Sequence, residues 1–381
     1  MIKVLSVVGA RPQFIKEAAI HRVITGQYHH AIREIILHTG QHYDENMSGI
    51  FFTGLQLPVP DYNLNAGPGT HGRQTAKMIS GIEKTALQVQ PDLIMLYGDT
   101  NSTLAGALAA SKLHVPIAHV EAGLRSHDKS MPEEINRVVC DHLSAFLFCP
   151  TLTAINNLAG EGINIRTTPP FDINHPLTIL SGDVMYDHVI HYARQAETTS
   201  SILDDNRLSS GKYILATVHR DHNTDQPHRL NAIFRALHGL SAEHRIPVVI
   251  PLHPRTSKLL KKSLDTRLYH DMTGDPMVRI MPPLSFFDML KLERHARIIL
   301  TDSGGVQKEA YFFNKPVIIL RSVTEWTEII DNQAGVLTDT DEQQIHDAYR
   351  RLVSSSTPGF PKVFGDGKAA ECICQTIVDA L

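Results

Sequence analysis

Three short segments of this chain place carboxylates where acid/base chemistry needs them. They are Tyr97-Gly98-Asp99-Thr100, His119-Val120-Glu121-Ala122-Gly123-Leu124-Arg125 and Met131-Pro132-Glu133-Glu134-Ile135-Asn136-Arg137. Asp99 and Glu121 each close an apolar run that reads as a strand, and the two strands are expected to be neighbours. Carboxylates that meet at one sheet edge can move protons near neutral pH, because crowded like charges raise at least one pKa. A helix cap or an arginine partner explains any one of these acids, and Glu134 is assigned that structural role. It explains Asp99, Glu121 and Glu133 together poorly.

A second group of residues suits an anion. Ile298 to Thr301 reads as a strand, followed by Asp302-Ser303-Gly304-Gly305 and a helix with Gln307, Lys308 and Glu309. Ser303, Gly304 and Gly305 let backbone N–H groups approach a phosphate while the helix dipole favours its charge. Glu309, one turn into that helix, is placed to accept hydrogen bonds from a ribose. The Ser303 turn matches neither GxxxxGK[ST] nor GxGxxG, so it is neither a Walker loop nor a dinucleotide fingerprint. Near the start, Gly9-Ala10-Arg11-Pro12-Gln13-Phe14-Ile15-Lys16 leads from a strand into a helix. There Arg11 and Lys16 either flank an anion at the helix N-terminus or are solvated side chains on an ordinary turn. Thr217-Val218-His219-Arg220 ends another strand, so His219 is a candidate partner for a phosphate or leaving group. His253, in Pro251-Leu252-His253-Pro254-Arg255, has a weaker claim of the same kind.

The elements that must carry these groups follow from alternating short Val/Ile/Leu-rich runs and helical stretches, the pattern of parallel sheets covered on both faces. The first series of strands is Lys3-Val8, Ile32-His38, Asp92-Tyr97, Ile117-Glu121 and Ala145-Cys149. The second is Tyr213-Val218, Pro247-Leu252, Val278-Met281, Ile298-Thr301 and Pro316-Leu320. An α/β fold of two doubly wound, Rossmann-like domains is therefore expected, covering residues 1–172 and 173–363, with the join near the breaker-rich stretch from Thr167 to Ser181. Residues 364–381 are expected to form a last helix crossing back to the first domain. Ligands of open α/β sheets bind beyond the carboxyl ends of the strands, so the site is expected in the cleft between the domains.

Composition narrows the partners. The 381 residues are 42% hydrophobic and 20% charged, with a formal charge of -4, as for ordinary globular proteins. That charge gives no general attraction to nucleic acid or anionic membrane. The twenty-two histidines are scattered and show neither HExxH nor His-x-His spacing, so no metal is expected. Cys140, Cys149, Cys372 and Cys374 read as buried or incidental thiols. With no signal-peptide pattern and no apolar run near the ~20 residues of a membrane span, a cytoplasmic location is expected.

Taken together these segments resemble the UDP-N-acetylglucosamine 2-epimerase family over nearly the whole chain. The resemblance rests on Gly-Ala-Arg-Pro-Gln-Phe-Ile-Lys, Gly-Asp-Thr-Asn-Ser-Thr, His-Val-Glu-Ala-Gly-Leu-Arg, Pro-Glu-Glu-Ile-Asn-Arg, Thr-Val-His-Arg and Thr-Asp-Ser-Gly-Gly-Val-Gln-Lys-Glu, in that order. It implies a glycosyltransferase-B-like fold, a homodimer, and anti elimination of UDP followed by re-addition, with no cofactor consumed. It also implies roles: Asp99, Glu121 and Glu133 as acid/base carboxylates, His219 assisting departure of UDP, and Arg11, Lys16, Ser303, Gly304, Gly305 and Glu309 holding the nucleotide.

The chain also departs from the common members. Thr324-Glu325-Trp326-Thr327-Glu328 replaces Thr-Glu-Arg-Pro-Glu, putting an indole where an arginine lies near the diphosphate. Ser-His-Asp-Lys-Ser-Met-Pro-Glu follows Arg125 in place of a Tyr-Ser-Pro-Trp-Pro-Glu type, and Thr39-Gly40-Gln41-His42-Tyr43-Asp44 replaces a segment lining a regulatory site. These variants resemble the branch acting on UDP-2,3-diacetamido-2,3-dideoxyglucuronate, which supplies surface polysaccharide such as O-antigen. A carboxylate at C6 of that sugar needs a cation, and Arg125, Lys129, Arg137 and Arg321 are the candidates. The competing readings are a hydrolysing epimerase, a glycosyltransferase of the same fold and a non-catalytic UDP-sugar sensor.

Overall fold

A computed structural model of the chain describes residues 1–41, 57–163, 166, 168–252, 254–354 and 359–381. The chain divides into two compact units, Met1–His188 with Lys362–Leu381, and Val189–Pro361.

The first unit is built on a seven-stranded sheet in the order β3-β2-β1-β4-β5-β6-β7. Its strands are β1 Ile2–Val8, β2 Ile32–His38, β3 Tyr62–Asn63, β4 Leu93–Tyr97, β5 Ile117–Val120, β6 Phe146–Cys149 and β7 Leu177–Leu180. The second unit has a six-stranded sheet, β10-β9-β8-β11-β12-β13. Here the strands are β8 Ile214–Thr217, β9 Val248–Pro251, β10 Val278–Met281, β11 Ile298–Thr301, β12 Val317–Ile319 and β13 Gly335–Leu337. Every strand pairing is parallel. Parallel central strands are covered by helices on both faces, so they are apolar throughout rather than alternating. Leu5, Val7, Ile94 and Leu96 pack under Met78 and Ile82 in the first unit. Ile214, Ala216, Ile298 and Leu300 do the same with Leu237 and Leu240 in the second. Each such Val, Leu, Ile or Met side chain contributes about 1.5–3 kcal/mol on leaving water.

All the strands expected from the sequence form, with ends displaced by at most one residue. β3, β7 and β13 were not anticipated; runs of two to four residues carry too little pattern to stand out. β7 pairs with β6 from Phe146↔Leu177 to Cys149↔Leu180. That pairing keeps the stretch after residue 172 in the first unit, and the division falls later, inside the helix Val184–Thr199. The last helix, Ala369–Ala380, belongs to the first unit. Its first-turn N–H groups at Ala369 and Ala370 donate to the Asp187 carboxylate at 3.1 and 2.8 Å.

Strand order reverses between β1 and β4 in the first sheet and between β8 and β11 in the second. Helices leave the two sides of such a point in opposite directions and open a crevice at the carboxyl ends of the strands. The loops after β1, β4 and β5, and those after β8 and β11, carry the residues singled out above.

Candidate functional site

In the first unit, β4 and β5 are hydrogen-bonded neighbours with Tyr97 opposite Val120, so Asp99 and Glu121 emerge side by side. Between Tyr97 and Asp99 the chain turns at Gly98 with φ +61. The positive φ favours glycine, and a Cβ there would lie 2.9 Å from Lys16 Nζ and displace it. Glu121 itself holds φ +75, a conformation that costs a non-glycine residue on the order of 1 kcal/mol and collects at functional sites. Its N–H and that of Ala122 both donate to Phe148 O at 3.1 Å, which fixes the turn.

Each acid has its own cation. Lys16 Nζ lies 2.6 Å from Glu121 Oε1, with 6% and 10% of the two side chains exposed. Arg137 donates to Asp99 and, at 3.0 Å, to Glu134. Burial lifts the Asp99 carboxyl above the usual aspartate range; Arg137 and Lys16 pull against this, and Glu121 and Glu133 add to it. Such a group lies closer to the working range of a general base. Glu133 is exposed on the first turn of the helix Pro132–Leu143 and makes no hydrogen bond among the described residues. Glu134, its neighbour, is buried and accepts from Ser126 N, Ser126 Oγ and His127 N at 2.9 to 3.0 Å. It anchors the preceding loop, the structural place expected for it.

The same helix braces the Asp99 turn. Asn136 Nδ2 donates to Asp99 O at 2.8 Å. Asp141, fully buried, accepts from His119 Nδ1 at 2.7 Å, Gly123 N at 3.1 Å and Arg125 at 2.7 Å. Glu161 takes Arg125 Nε and a terminal nitrogen at 2.6 and 2.7 Å. Arg125 is therefore a buried brace between Asp141 and Glu161, and the structure does not bring it to Asp99 and Glu121. Lys129 is exposed in the loop before Pro132.

The residue Arg11 opens the helix Arg11–Val23. Lys16, for which flanking an anion at that N-terminus was one of two readings, does not sit at the helix's first turn. It lies further along and crosses to Glu121, because a buried ammonium needs a carboxylate close by. Gln13 organises the helix start: its Oε1 accepts from Gly9 N and Ala10 N at 2.8 and 3.1 Å, and its Nε2 donates to Tyr97 O at 3.0 Å. Its amide thus ties the end of β1 to the end of β4.

In the second unit, Ser303 caps the helix Gly304–Phe312. Neither Gly304 nor Gly305 has a positive φ, and a Cβ on either would meet nothing nearer than 3.7 Å. Packing within the protein does not demand glycine there, whereas the approach of a ligand to the helix N-terminus would. Asp302, fully buried, accepts from His219 N, Arg220 N and Asn223 Nδ2 at 3.1 to 3.2 Å. His219 Nδ1 lies 3.0 Å from its Oδ1, with 49% of the His219 side chain exposed. Burial would raise the Asp302 carboxyl, but His219, the Arg220 N–H and Asn223 outweigh it and hold it below the usual range. An ionised Asp302 fixes the His219 tautomer with the proton on Nδ1. Sequence reasoning passed over Asp302 as a site residue; its signal was a carboxylate on a strand end beside the Ser-Gly-Gly turn.

Arg321 pairs in two-pronged fashion with Glu325 at 2.9 and 3.1 Å. Lys308 Nζ sits 4.0 Å from the Trp326 ring centroid, and Trp326 Nε1 is the nearest atom to a Cβ built on Gly304, at 3.7 Å. The indole that replaces an arginine thus carries an ammonium on its face, next to the same turn. Glu309 follows one turn into the helix, half-buried. His253 and residues 42–44 lie outside the described residues. All four cysteines are free. Among the described residues no cluster of His, Cys, Asp or Glu is arranged to hold a metal, and no helix is long and apolar enough to cross a membrane.

Two parallel sheets of this order, each with its polar loops at the point of strand reversal, define a glycosyltransferase-B-like α/β protein. The family model for UDP-N-acetylglucosamine 2-epimerase matches residues 26–378. The chain is 42% identical to the UDP-2,3-diacetamido-2,3-dideoxy-D-glucuronate 2-epimerase of Pseudomonas aeruginosa, over 98% of this chain and 99% of that one. A UDP-N-acetylglucosamine 2-epimerase homolog of Methanococcus maripaludis is 44% identical over 99% of both chains. The crystal structure of Methanocaldococcus jannaschii UDP-GlcNAc 2-epimerase in complex with UDP-GlcNAc and UDP superposes with a TM-score of 0.84, at 38% identity, covering 99% of this chain and 100% of that one. The chain belongs to the UDP-N-acetylglucosamine 2-epimerase family. It is accordingly an isomerase, a UDP-sugar 2-epimerase.

Proposed function

We propose that this enzyme inverts C2 of UDP-2,3-diacetamido-2,3-dideoxyglucuronate without hydrolysis, with UDP-GlcNAc as the second candidate substrate. The observation that carries the acid/base part is the side-by-side emergence of Asp99 and Glu121, each with its own cation. The choice of sugar is supported by the 42% identity to the Pseudomonas aeruginosa enzyme and by Trp326 in place of an arginine. Of the cations considered for its C6 carboxylate, Arg125, Arg137 and Arg321 are each held by carboxylates of the protein, Arg137 by Asp99 and Glu134, and Lys129 is exposed in the loop before Pro132.

In this reading one carboxylate takes the proton from C2 and the C1–oxygen bond breaks anti to it, so UDP leaves with the bond electrons and a glucal remains. A second acid returns a proton to the opposite face of C2, and the β-phosphate oxygen re-forms the bond at C1. Asp99, Glu121 and Glu133 supply the acid/base groups. His219, oriented by Asp302, donates to the departing phosphate, where fixed donors aimed at developing charge contribute most. The N-terminus at Ser303, Gly304 and Gly305 takes the diphosphate, Glu309 the ribose, and Arg11 the nucleotide. A homodimeric assembly, a cytoplasmic location and a place in O-antigen synthesis belong to the same proposal.

The experiment is NMR in D2O with UDP-GlcNAc and its 2,3-diacetamido uronate relative. Deuterium is expected at C2 of a UDP-linked product, with the uronate preferred. Asp99→Asn and Glu121→Gln are expected to abolish exchange while UDP still binds. Accumulation of free sugar identifies a hydrolysing enzyme instead, and full activity in both variants rejects the acid/base assignment.

A further inference from the structure

His119 lies within β5, with none of its surface exposed. Its Nδ1 is 2.7 Å from Asp141 Oδ1 and its Nε2 is 2.8 Å from Gly98 O. A carbonyl oxygen only accepts, so Nε2 must carry a proton. Asp141 also receives Gly123 N and Arg125, an arrangement that suits the ionised carboxylate and not the acid. Nδ1 must then carry a proton as well. Both ring nitrogens donate, and the ring is a buried cation.

What this cation grips is the residue before Asp99. Gly98 N–H donates to Val120 O at 3.0 Å while Gly98 O accepts from His119. Asp99 O is held by Asn136, and its carboxylate by Arg137. Asn136, Arg137 and Asp141 all lie on the helix Pro132–Leu143. The Asp99 carboxylate is therefore aimed by one helix along three routes, of which the His119 ring is the only one running through β5. Burial works against the charge, and the neighbouring Cys140 sulfur and Asp141 carboxylate more than reverse it.

We propose that His119 is a permanent imidazolium, charge-balanced by Asp141, that positions the Gly98–Asp99 turn for proton transfer at C2. This rests on reading Asp99 as an acid/base group. A neutral ring would have to present a lone pair either to the Asp141 carboxylate, loosening the ring from the helix Pro132–Leu143, or to Gly98 O, releasing the turn. A displacement of about 1 Å at a reacting group costs on the order of a hundredfold in rate.

Histidine-selective nitrogen-15 labelling of the full-length chain at mildly alkaline pH reads the charge directly. One-bond N–H couplings on both ring nitrogens of His119 are expected, its resonances assigned by their loss in His119→Gln or their shift in Asp141→Asn. Where neither variant folds, a shift in Cys140→Ser, whose sulfur neighbours the ring, makes the assignment; a single protonated nitrogen overturns the proposal. In the folded His119→Gln enzyme, C2 exchange in D2O is expected to fall about a hundredfold in kcat with KM unchanged. Full exchange in His119→Gln, with Asp99→Asn inactive, overturns the positioning role alone. Full exchange in Asp99→Asn overturns the acid/base reading beneath it.

Discussion

Lys16 Nζ and Glu121 Oε1 meet at 2.6 Å across the floor of the first unit, joining the helix that follows β1 to the turn that follows β5. With 6% and 10% of the side chains exposed, neither charge has water enough to stand alone. Removing one partner of such a pair leaves the other buried and uncompensated, which costs about 3–5 kcal/mol. Lys16→Met is therefore expected to destabilise the protein by that amount in urea unfolding. The double variant Lys16→Met with Glu121→Gln is expected to recover part of the loss, the coupling being read from the double-mutant cycle. Additive losses would remove the pair from the account.

Arg137 holds down the pH at which the buried Asp99 ionises. Burial raises that carboxyl, and Arg137 is the strongest opposing influence. With Asp99 as the proposed base, turnover requires the ionised form, and the acid limb of rate against pH is expected to mark its protonation. Arg137→Met removes the opposing charge, and the limb is expected to move to higher pH; Arg137→Lys is expected to restore part of the shift. Rates of C2 deuterium exchange across the pH range check this, and a limb that stays put or moves down rejects it.

Much of this arrangement was legible in the sequence, and the reason is local. Apolar runs mark parallel strands, and in such sheets polar residues just past a strand end are where ligands bind, so Asp99, Glu121, His219 and Ser303 stood out by position. What was not legible was pairing. Lys16 and Glu121 lie 105 residues apart, and no spacing rule connects them. Arg125 reads as a cation for a ligand until Asp141 and Glu161 are seen around it. Asp302 and His119 sit inside motifs yet take their meaning from partners on other elements. β7 is too short to signal itself, which moved the expected join of the units ahead of its place.

Asp302 should govern the acid tolerance of the second unit. Its folded carboxyl lies below the ordinary aspartate value of 3.8. A depressed pKa means the unfolded chain binds the proton first, so the stability it contributes is present above that value. It is lost as pH falls through the folded pKa. Hydrogen bonds to a charged group contribute about 1.5–3 kcal/mol. Asp302→Asn is expected to lower stability by that order at neutral pH and to flatten its fall below pH 3.8. Unfolding followed by circular dichroism in acid separates the two curves, and identical curves reject the role.

Glu34 predicts the opposite slope. Burial raises its carboxyl to about 7, with Asp61 adding and the Glu17 and Ser6 contacts subtracting. With the folded pKa above the unfolded one, its contribution is fully present below the ordinary value of 4.5 and is lost as pH rises through about 7. The loss is on the order of 3 kcal/mol, since each pKa unit corresponds to about 1.4 kcal/mol. Midpoints of urea unfolding are expected to fall between mildly acidic and mildly alkaline buffer, and Glu34→Gln to remove most of the decline. A midpoint that rises with pH contradicts the assignment.

The helix Ala369–Ala380 completes a unit that begins at Met1, after the chain has traversed Val189–Pro361 in between. During synthesis Asp99, Glu121 and Glu133 therefore emerge long before the helix whose N–H groups donate to Asp187. The ribosome must deliver the whole of Val189–Pro361 before the surrounding unit can close its own core. Assembly is thereby ordered: the inserted unit is delivered first, and the surrounding one finishes last.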